Sequence, residues 1–260
     1  MLAELLELAP SGVEETMQGD GTVEYAVYGA PGELPALPAL EAAAGDALVE
    51  VSTEEIADDW DQRWRAFHRP LVIDSRLSVR PPWEPATGAA IDLVVDPGQA
   101  FGTGAHATTR LCLEAMLRLA PGEGPLVDLG CGSGVLAIAA AKLGWGPVLA
   151  LDNELAAVDA ALENARRNRA EIEVRRYDLR ADPVAVATAP TVVANLLAPL
   201  LLSWAARLSE AAQPPRRLIA SGLLSGEGND VAAAFAGLGL RERRRLEAGD
   251  WIALLLERRG

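Results

Sequence analysis

The feature that most constrains the fold is an apolar strand, a glycine-rich turn and a helix, followed by a second strand that ends in an acid. Residues 126–129 form the first apolar run, and the pattern D-x-G-x-G-x-G extends from Asp128 to Gly134. A second apolar run, 148–151, ends at Asp152, about 20 residues beyond the glycines. An α/β fold presents a nucleoside to its first two strands in this way. The pattern therefore predicts a nucleoside-containing cofactor.

The spacing of Gly130, Gly132 and Gly134 distinguishes between cofactors. A dinucleotide fold needs a small residue three places after the second glycine, and Val135 stands there. A branched side chain at that place crowds the contact between strand and helix, and it holds the backbone away from a pyrophosphate. The spacing therefore disfavours NAD and favours S-adenosylmethionine, which has no phosphate.

Asp152 is the candidate acid for such a ligand, because a carboxylate at the end of the second strand can accept hydrogen bonds from ribose hydroxyls. The alternative is that Asp152 only caps the helix that starts near Glu154, as aspartate often does after a strand. Both roles are open at this point.

Composition favours a soluble globular protein with one full domain and a smaller companion, since half of the 260 residues are hydrophobic. No apolar run approaches the length of a membrane span, and the first basic residue is Arg63, so the start lacks the basic region of a signal peptide. We therefore expect a cytoplasmic location. Two cysteines and two histidines predict neither a disulfide framework nor a zinc-type metal cluster.

Charge is distributed unevenly along the chain. Residues 1–61 contain 15 acidic side chains and no Lys or Arg, whereas residues 62–260 contain 22 acidic and 23 basic side chains. The net charge of −14 thus comes almost wholly from the first quarter. Such a segment repels nucleic acid and anionic membranes and attracts a basic partner at long range. A solvated, solubilising surface is the alternative.

The change in charge also indicates a domain boundary. Residues 1–53 read as a small acidic α+β module for substrate recognition, and residues 54–85 as a linker helix followed by an extended segment that is rich in proline. Residues 86–260 form the cofactor-binding domain. The elements predicted before residue 68 are helices at 2–8, 36–44 and 54–67, and strands at 22–28 and 47–51.

Strands and helices alternate through the main domain, which is typical of a parallel sheet. The last two strands are separated by only a few residues, and this makes them an antiparallel hairpin, because a parallel pair needs a long crossover. The predicted fold is a Rossmann-like class I methyltransferase sheet with a terminal antiparallel hairpin. The predicted strands are 91–95, 126–129, 148–151, 172–177, 191–197, 218–222, 240–246 and 251–257, and the helices are 106–119, 135–143, 155–168 and 199–211.

Three segments carry a resemblance to a known family. They are D-P-G-Q-A-F-G-T-G-A-H-A-T-T-R from Asp96 to Arg110, the glycine turn with its helix at 128–144, and V-A-N-L-L at 193–197. Over roughly residues 60–260 the chain resembles the ribosomal protein L11 methyltransferase family. The first of these segments is far more specific than the glycine turn.

The resemblance implies transfer of methyl groups from S-adenosylmethionine to protein amines, namely lysine ε-amines and the α-amine of L11. It also implies a ferredoxin-like N-terminal domain that grips the substrate protein. Family members usually begin with a strand before the first helix, whereas a helix is predicted here directly at 2–8, so one strand of the module is expected to be absent. A lysine in another protein is therefore an alternative substrate. An acidic module suits a basic ribosomal protein, which favours docking.

The resemblance also implies roles for residues around the cofactor. Thr109 would contact the bound cofactor, and Gly130 and Gly132 would line its methionine portion. Asp152 matches the acid that binds the ribose. Asp178, just past the third strand, would contact the adenine amine, although it could equally cap a turn.

Asn195 is the expected catalytic residue, because it ends the fourth strand beside the point where the strand order reverses. Its side-chain oxygen can accept amine hydrogens and so orient the amine. The alternative is that Asn195 is a buried turn residue whose side chain bonds only to the backbone. Phe101, Thr103 and His106 are expected to form an active-site loop. His106 is either a base or, as we favour, a structural residue at a helix N-terminus.

Two other classes of function remain open. A nicotinamide-dependent oxidoreductase would use the same type of sheet, but it would need room at Val135. A non-catalytic protein that kept the fold would bind the cofactor without labelling a substrate. The expected partner is a basic protein. We expect neither direct nucleic-acid binding nor membrane binding, and we expect the protein to be a monomer.

Overall fold

The computed structural model describes residues 14–17, 23–26, 69–96, 106–211 and 214–258. The chain divides into two units, Met1–Trp64 and Arg65–Gly260. No helix in these described parts has both the length and the apolar character needed to cross a membrane.

The first unit contains an antiparallel strand pair, β1 (Glu14–Met17) and β2 (Val23–Ala26), in which Glu14 lies opposite Ala26. The sequence predicted β2 within 22–28, but it did not predict β1. The other elements predicted before residue 68 lie outside the described residues. They are the helices at 2–8, 36–44 and 54–67 and the strand at 47–51.

A small mixed sheet precedes the main one in the chain. It contains β3 (Leu71–Ile73), β4 (Leu77–Arg80) and β5 (Ile91–Val94), with β4 antiparallel to β3 and parallel to β5. The sequence predicted β5 but missed β3 and β4, which are too short for a clear alternation. Asp92 ties β5 to β4, since its carboxylate accepts from Ser78 Oγ at 2.6 Å and pairs with Arg80 Nε at 2.8 Å.

The main sheet contains seven strands among the described residues, in the order β11-β12-β10-β9-β6-β7-β8. The strands β6 to β10 run parallel, and β12 is antiparallel to both β10 and β11. This is the parallel sheet with a terminal antiparallel hairpin that the sequence predicted. The strands are β6 (Leu126–Leu129), β7 (Val148–Asp152), β8 (Glu173–Arg176), β9 (Thr191–Asn195), β10 (Arg217–Leu224), β11 (Leu240–Ala248) and β12 (Trp251–Arg258).

The helices flank this sheet as α1 (Ala107–Leu119), α2 (Val135–Lys142), α3 (Leu155–Arg167), α4 (Ala198–Ala211) and α5 (Gly228–Ala236). The first four agree with the sequence prediction to within one residue at each end. The sequence did not predict α5 or the single 3₁₀ turn at Val184–Ala187.

Both faces of the main sheet are buried, which explains why its strands read as continuous apolar runs. Along β9, Val193 belongs to one hydrophobic cluster, whereas Val192 and Ala194 belong to the other. Buried residues of α1, α2 and α3 belong to the first cluster and those of α4 and α5 to the second. The fold is therefore three-layered, with helices on both sides.

The strand order reverses at β6, which pairs with β7 on one side and with β9 on the other. The carboxyl ends of parallel strands meet at one edge of a sheet, and ligands of open α/β sheets bind at such a reversal. The loops after β6, β7, β8 and β9 therefore define the candidate site.

Candidate cofactor and catalytic site

The glycine turn after β6 depends on backbone conformations that favour glycine. Gly130, Gly132 and Gly134 have φ values of 76°, 51° and 79°, in the left-handed region. The N–H groups of Gly130 and Cys131 both donate to the Leu151 carbonyl, at 2.8 and 3.0 Å. The turn is thereby tied to the end of β7.

Asp152 holds the same turn with its side chain. Its Oδ2 accepts a hydrogen bond from the Gly132 N–H at 2.8 Å, and its Oδ1 accepts one from the Glu154 N–H at 3.0 Å. The bond to Glu154 is the helix-start contact considered as the alternative role of Asp152. A carboxylate offers about four lone-pair sites, so two backbone donors leave capacity for ribose hydroxyls. The two roles are therefore compatible.

Asp128 supports the helix that follows the turn. Gly134 is the N-cap of α2 and has no side chain, and the buried Asp128 Oδ2 instead accepts from the Ala137 N–H at 2.9 Å. Asp128 Oδ1 is buried without a hydrogen-bond partner among the described residues. Burial raises the pKa of this carboxyl to about 7. Sequence reasoning missed this role and used Asp128 only as part of the glycine pattern.

Asn195 and Thr109 lie together, although 86 positions separate them in the chain. Asn195 ends β9, and its Nδ2 donates to Oγ1 of the buried Thr109 at 3.5 Å. Asn195 Oδ1 is buried and has no hydrogen-bond partner in the described part of the chain. The pair thus holds one amide oxygen that can accept a hydrogen bond from a ligand.

Leu196, which follows β9, lies close to Gly130 after β6 and to Gly222 in β10. A Cβ placed on Gly130 would lie 2.4 Å from Leu196 Cδ2, and one placed on Gly222 would lie 2.6 Å from the Leu196 carbonyl oxygen. Gly222 has a φ of 80° and lies within β10, where the pairing register shifts. The sequence analysis missed Gly222, although a glycine inside a strand often marks a close backbone approach.

His106 is the N-cap of α1, and its imidazole contacts Thr108 and Trp251. Its Nδ1 accepts from the Thr108 N–H at 3.4 Å and lies 2.8 Å from Thr108 Oγ1. Its ring meets Trp251 edge-on, with centroids 4.9 Å apart. Burial lowers the pKa of His106, which favours the neutral imidazole. Phe101 and Thr103, which were predicted to share its loop, lie outside the described residues.

Asp178 follows β8 and caps a turn. Its Oδ1 accepts from the Arg180 N–H at 2.8 Å, and its own N–H donates to Asp182 Oδ2 at 2.7 Å. From α4, Arg207 donates to the carbonyls of Leu179 and Asp182 and so holds this loop. Asp178 thus caps a turn, which was the alternative role considered for it. A contact between Asp178 and the adenine amine stays a prediction.

The two cysteines do not supply a nucleophile. Cys112 and Cys131 are buried, and burial raises the pKa of each thiol, so both are protonated at neutral pH. Within residues 69–96, 106–211 and 214–258 no group of three His, Cys, Asp or Glu side chains could hold a metal ion.

These features together define a class I methyltransferase. The parallel sheet is closed by an antiparallel hairpin, a glycine turn follows β6, an acid ends β7 and an asparagine ends β9. A family model described as ribosomal protein L11 methyltransferase (PrmA) matches residues 33–259. The chain belongs to this family, as its sequence motifs predicted, and the nicotinamide alternative loses its support.

Individual relatives agree with this assignment. A ribosomal protein L11 methyltransferase of Chloroflexus aurantiacus is 38% identical over 239 residues, which cover 81% of this chain and 73% of that protein. One of Heliobacterium modesticaldum is 39% identical over 207 residues, covering 78% of this chain and 65% of that protein. The chain therefore spans about two thirds of the length of these relatives.

A solved structure supports the fold. The crystal structure of a ribosomal protein L11 methylase from Lactobacillus delbrueckii subsp. bulgaricus matches with a TM-score of 0.65 and 30% sequence identity. The match covers 74% of this chain and 100% of that one. The predicted α/β methyltransferase fold is confirmed.

Proposed function

We propose that this protein transfers methyl groups from S-adenosylmethionine to amines of ribosomal protein L11, both lysine ε-amines and the N-terminal α-amine. The observation that carries the proposal is the buried Oδ1 of Asn195, at the carboxyl end of β9, which has no hydrogen-bond partner among the residues that the structure describes. An amine that loses its hydration shell needs such an acceptor for its hydrogens. The relatives, which are ribosomal protein L11 methyltransferases by name, support L11 as the substrate.

The residues of the site fit the proposed cofactor. Gly130 and Gly132 would line its methionine portion beside Thr109, and the remaining lone pairs of Asp152 would accept hydrogen bonds from the ribose hydroxyls. Asp178 would reach the adenine amine. When bound, S-adenosylmethionine would supply a methyl group on a positively charged sulfur. The amine nitrogen would form a bond to the methyl carbon as the methyl carbon–sulfur bond breaks, with S-adenosylhomocysteine as the leaving group.

Asn195 orients the amine in this proposal. Its Nδ2 lies 3.5 Å from Thr109 Oγ1, a long hydrogen bond that leaves Oδ1 to accept an amine hydrogen. The amine must be unprotonated to offer its lone pair, and its proton leaves to water before transfer. Alignment at about 3 to 3.5 Å then provides most of the catalysis, and no covalent nucleophile is required.

The acidic first quarter of the chain suits a basic ribosomal protein as its partner. We infer that this segment docks L11 in the cytoplasm, without direct contact to nucleic acid, and that the enzyme acts as a monomer.

The test is incubation of the protein with tritiated S-adenosylmethionine and purified L11 or a total ribosomal protein mixture, followed by mass spectrometry of labelled bands. Label on amines of L11 is the expected result, and Asn195→Ala is the matched control. If label appears only on another protein, L11 is not the substrate, and the alternative of a lysine in another protein takes its place. Binding of S-adenosylhomocysteine without any label would indicate a non-catalytic cofactor-binding protein.

A further inference from the structure

Asn164 on α3 joins two backbone segments that are far apart in the chain. Its side chain is 1% exposed, and its carboxamide bonds in both directions. Nδ2 donates to the Ser133 carbonyl at 3.0 Å, and Oδ1 accepts from the Asp96 N–H at 3.0 Å. Ser133 lies in the glycine turn, and Asp96 is the first residue of the D-P-G segment. Neither the sequence nor the proposed chemistry assigns a role to Asn164.

Two more contacts from the β7–α3 unit hold the same turn. Asp152 accepts the Gly132 N–H, and a Cβ placed on Gly134 would lie 2.9 Å from Ala161 Cβ. Ala161 lies on α3 one turn before Asn164. Of the three consecutive turn residues, Gly132 and Ser133 are therefore held by hydrogen bonds from this unit, and Gly134 lies close against Ala161.

From these contacts we propose that Asn164 is a positioning residue for cofactor binding, which acts by fixing the Ser133 carbonyl and hence the orientation of the glycine turn. The inference rests on the proposed function, because it takes this turn as the place of the methionine portion. A peptide plane that is fixed before binding costs no ordering entropy when the ligand arrives. Loss of the carboxamide should therefore weaken cofactor affinity more than it slows methyl transfer at saturation.

The chain offers a matched control one turn later, at the C-cap of α3. Asn168 Oδ1 accepts from the Val94 N–H at 2.8 Å, and its Nδ2 donates to the carbonyls of Val94 at 2.7 Å and Asn164 at 2.8 Å. It uses the same functional group and anchors Val94, the last residue of β5, two positions before Asp96. The hydrogen bonds of its side chain within the described residues go to Val94 and Asn164 and not to the glycine turn, so Asn168→Ala measures general loosening of α3.

The experiment measures the dissociation constant of S-adenosylhomocysteine by calorimetry for the full chain, Asn164→Ala, Asn164→Asp and Asn168→Ala. We expect about a tenfold or greater loss of affinity for both Asn164 variants at pH 9 and less than about threefold for Asn168→Ala. The kcat for L11 at saturating S-adenosylmethionine should change less than the affinity in each variant that folds.

Asn164→Asp adds a pH-dependent readout of the hydrogen bond to the Ser133 carbonyl, to be compared with the stability of the variant measured at the same pH values. An ionised carboxylate keeps an acceptor for Asp96 but cannot donate to the Ser133 carbonyl, whereas a protonated carboxyl can. Burial raises the pKa of an acid, so affinity should recover toward the wild-type value as the pH falls from 9 to 6. Asn164→Asp also carries the test if Asn164→Ala does not fold.

Each outcome decides between the hypotheses. Equal affinity of the wild type and a folded Asn164→Asp at pH 9 would overturn the role of Asn164 alone. Equal losses in Asn164→Asp and Asn168→Ala would overturn it as well, because the effect would then be general loosening. Failure of the wild type to bind S-adenosylhomocysteine would instead overturn the proposed function and the inference that rests on it.

Discussion

At the scale of single residues, the site depends on side-chain oxygens that can accept further hydrogen bonds from a ligand. In the described part of the chain, Asn195 keeps a buried oxygen without a partner, and Asp152 accepts hydrogen bonds from two backbone donors. Asp128 differs from both, because its second oxygen is buried at 0% exposure below the glycine turn and its pKa is raised. These three side chains allow separate tests.

Asn195→Ala should leave cofactor binding largely intact and lower kcat for methyl transfer by about a hundredfold or more, because the amine loses the acceptor that orients it. Calorimetry with S-adenosylhomocysteine serves as the internal control for an intact cofactor site. A near-normal turnover would remove Asn195 from the catalytic role.

Asp152→Ala should weaken binding of S-adenosylmethionine by more than about tenfold, or roughly 1.4 kcal/mol. The change removes the proposed ribose acceptor and frees the N–H groups of Gly132 and Glu154. Asp152→Asn keeps one carbonyl acceptor and should lose less. Unchanged affinity by calorimetry for a folded Asp152→Ala would reject the ribose role.

Asp128→Asn should change how stability depends on pH. The folded protein binds the Asp128 proton up to about pH 7, whereas the unfolded chain releases it near the ordinary value of 3.8. Wild type therefore loses stability relative to the variant as the pH rises between these two values, by on the order of a few kcal/mol. Urea unfolding of both proteins at pH 4, 5.5, 7 and 8 checks this. A difference that does not vary with pH would contradict the raised pKa.

At the scale of elements, β10 shapes the loop that follows β9. The Leu196 N–H donates to the Ser221 carbonyl at 2.9 Å, and the absence of a side chain on Gly222 lets the Leu196 backbone approach. Ser221 Oγ in turn donates to the Ile252 carbonyl at 2.9 Å, which ties the irregular part of β10 to β12. The position of Asn195 thus depends on two neighbouring strands as well as on its own.

Gly222→Ala should destabilise the protein by roughly 2 to 4 kcal/mol and lower kcat, because a Cβ would collide with the Leu196 backbone at a φ of 80°. Gly226→Ala is the matched control, since a Cβ there meets nothing within 4 Å. Thermal unfolding and the methylation assay measure both effects. Equal behaviour of the two variants would show that β10 does not shape the Asn195 loop.

At the scale of the whole molecule, charge separates the first quarter of the chain from the rest. Residues 1–61 hold 15 acidic side chains and no Lys or Arg, and the remaining 199 residues are almost neutral. A single-sign segment of this kind attracts an oppositely charged protein over distances comparable to the Debye length. Docking of a basic substrate and simple solubilisation make different predictions about salt.

If the acidic segment docks L11, the KM for L11 should rise by about tenfold between roughly 0.05 and 0.5 M salt, because screening weakens the attraction. The affinity for S-adenosylhomocysteine measured over the same range is the control, since it reports on the cofactor site. A KM that does not change with salt would indicate that the acidic side chains serve only solubility.

The local pattern alone was enough to predict most of the main sheet and its helices. Apart from Asp128, residues 126–129 are apolar, and so are residues 148–151 before Asp152; glycines mark the turn between the two strands, and the helix at Val135–Lys142 is buried almost all round. These signals lie within a few residues of one another, so they need no knowledge of distant contacts. The hairpin of β11 and β12 followed from the shortness of its connection.

Contacts between distant residues were decided by the tertiary structure. Nothing local shows that β5 pairs outside the main sheet, that Asp128 reaches the Ala137 N–H, or that Gly222 meets Leu196. Asn164 is likewise an ordinary helical asparagine until folding brings Ser133 and Asp96 to its two ends. Short-range periodicity specifies what each element is, whereas the polar groups that hold the site find their partners only when the packed layers bring separate segments within hydrogen-bond distance.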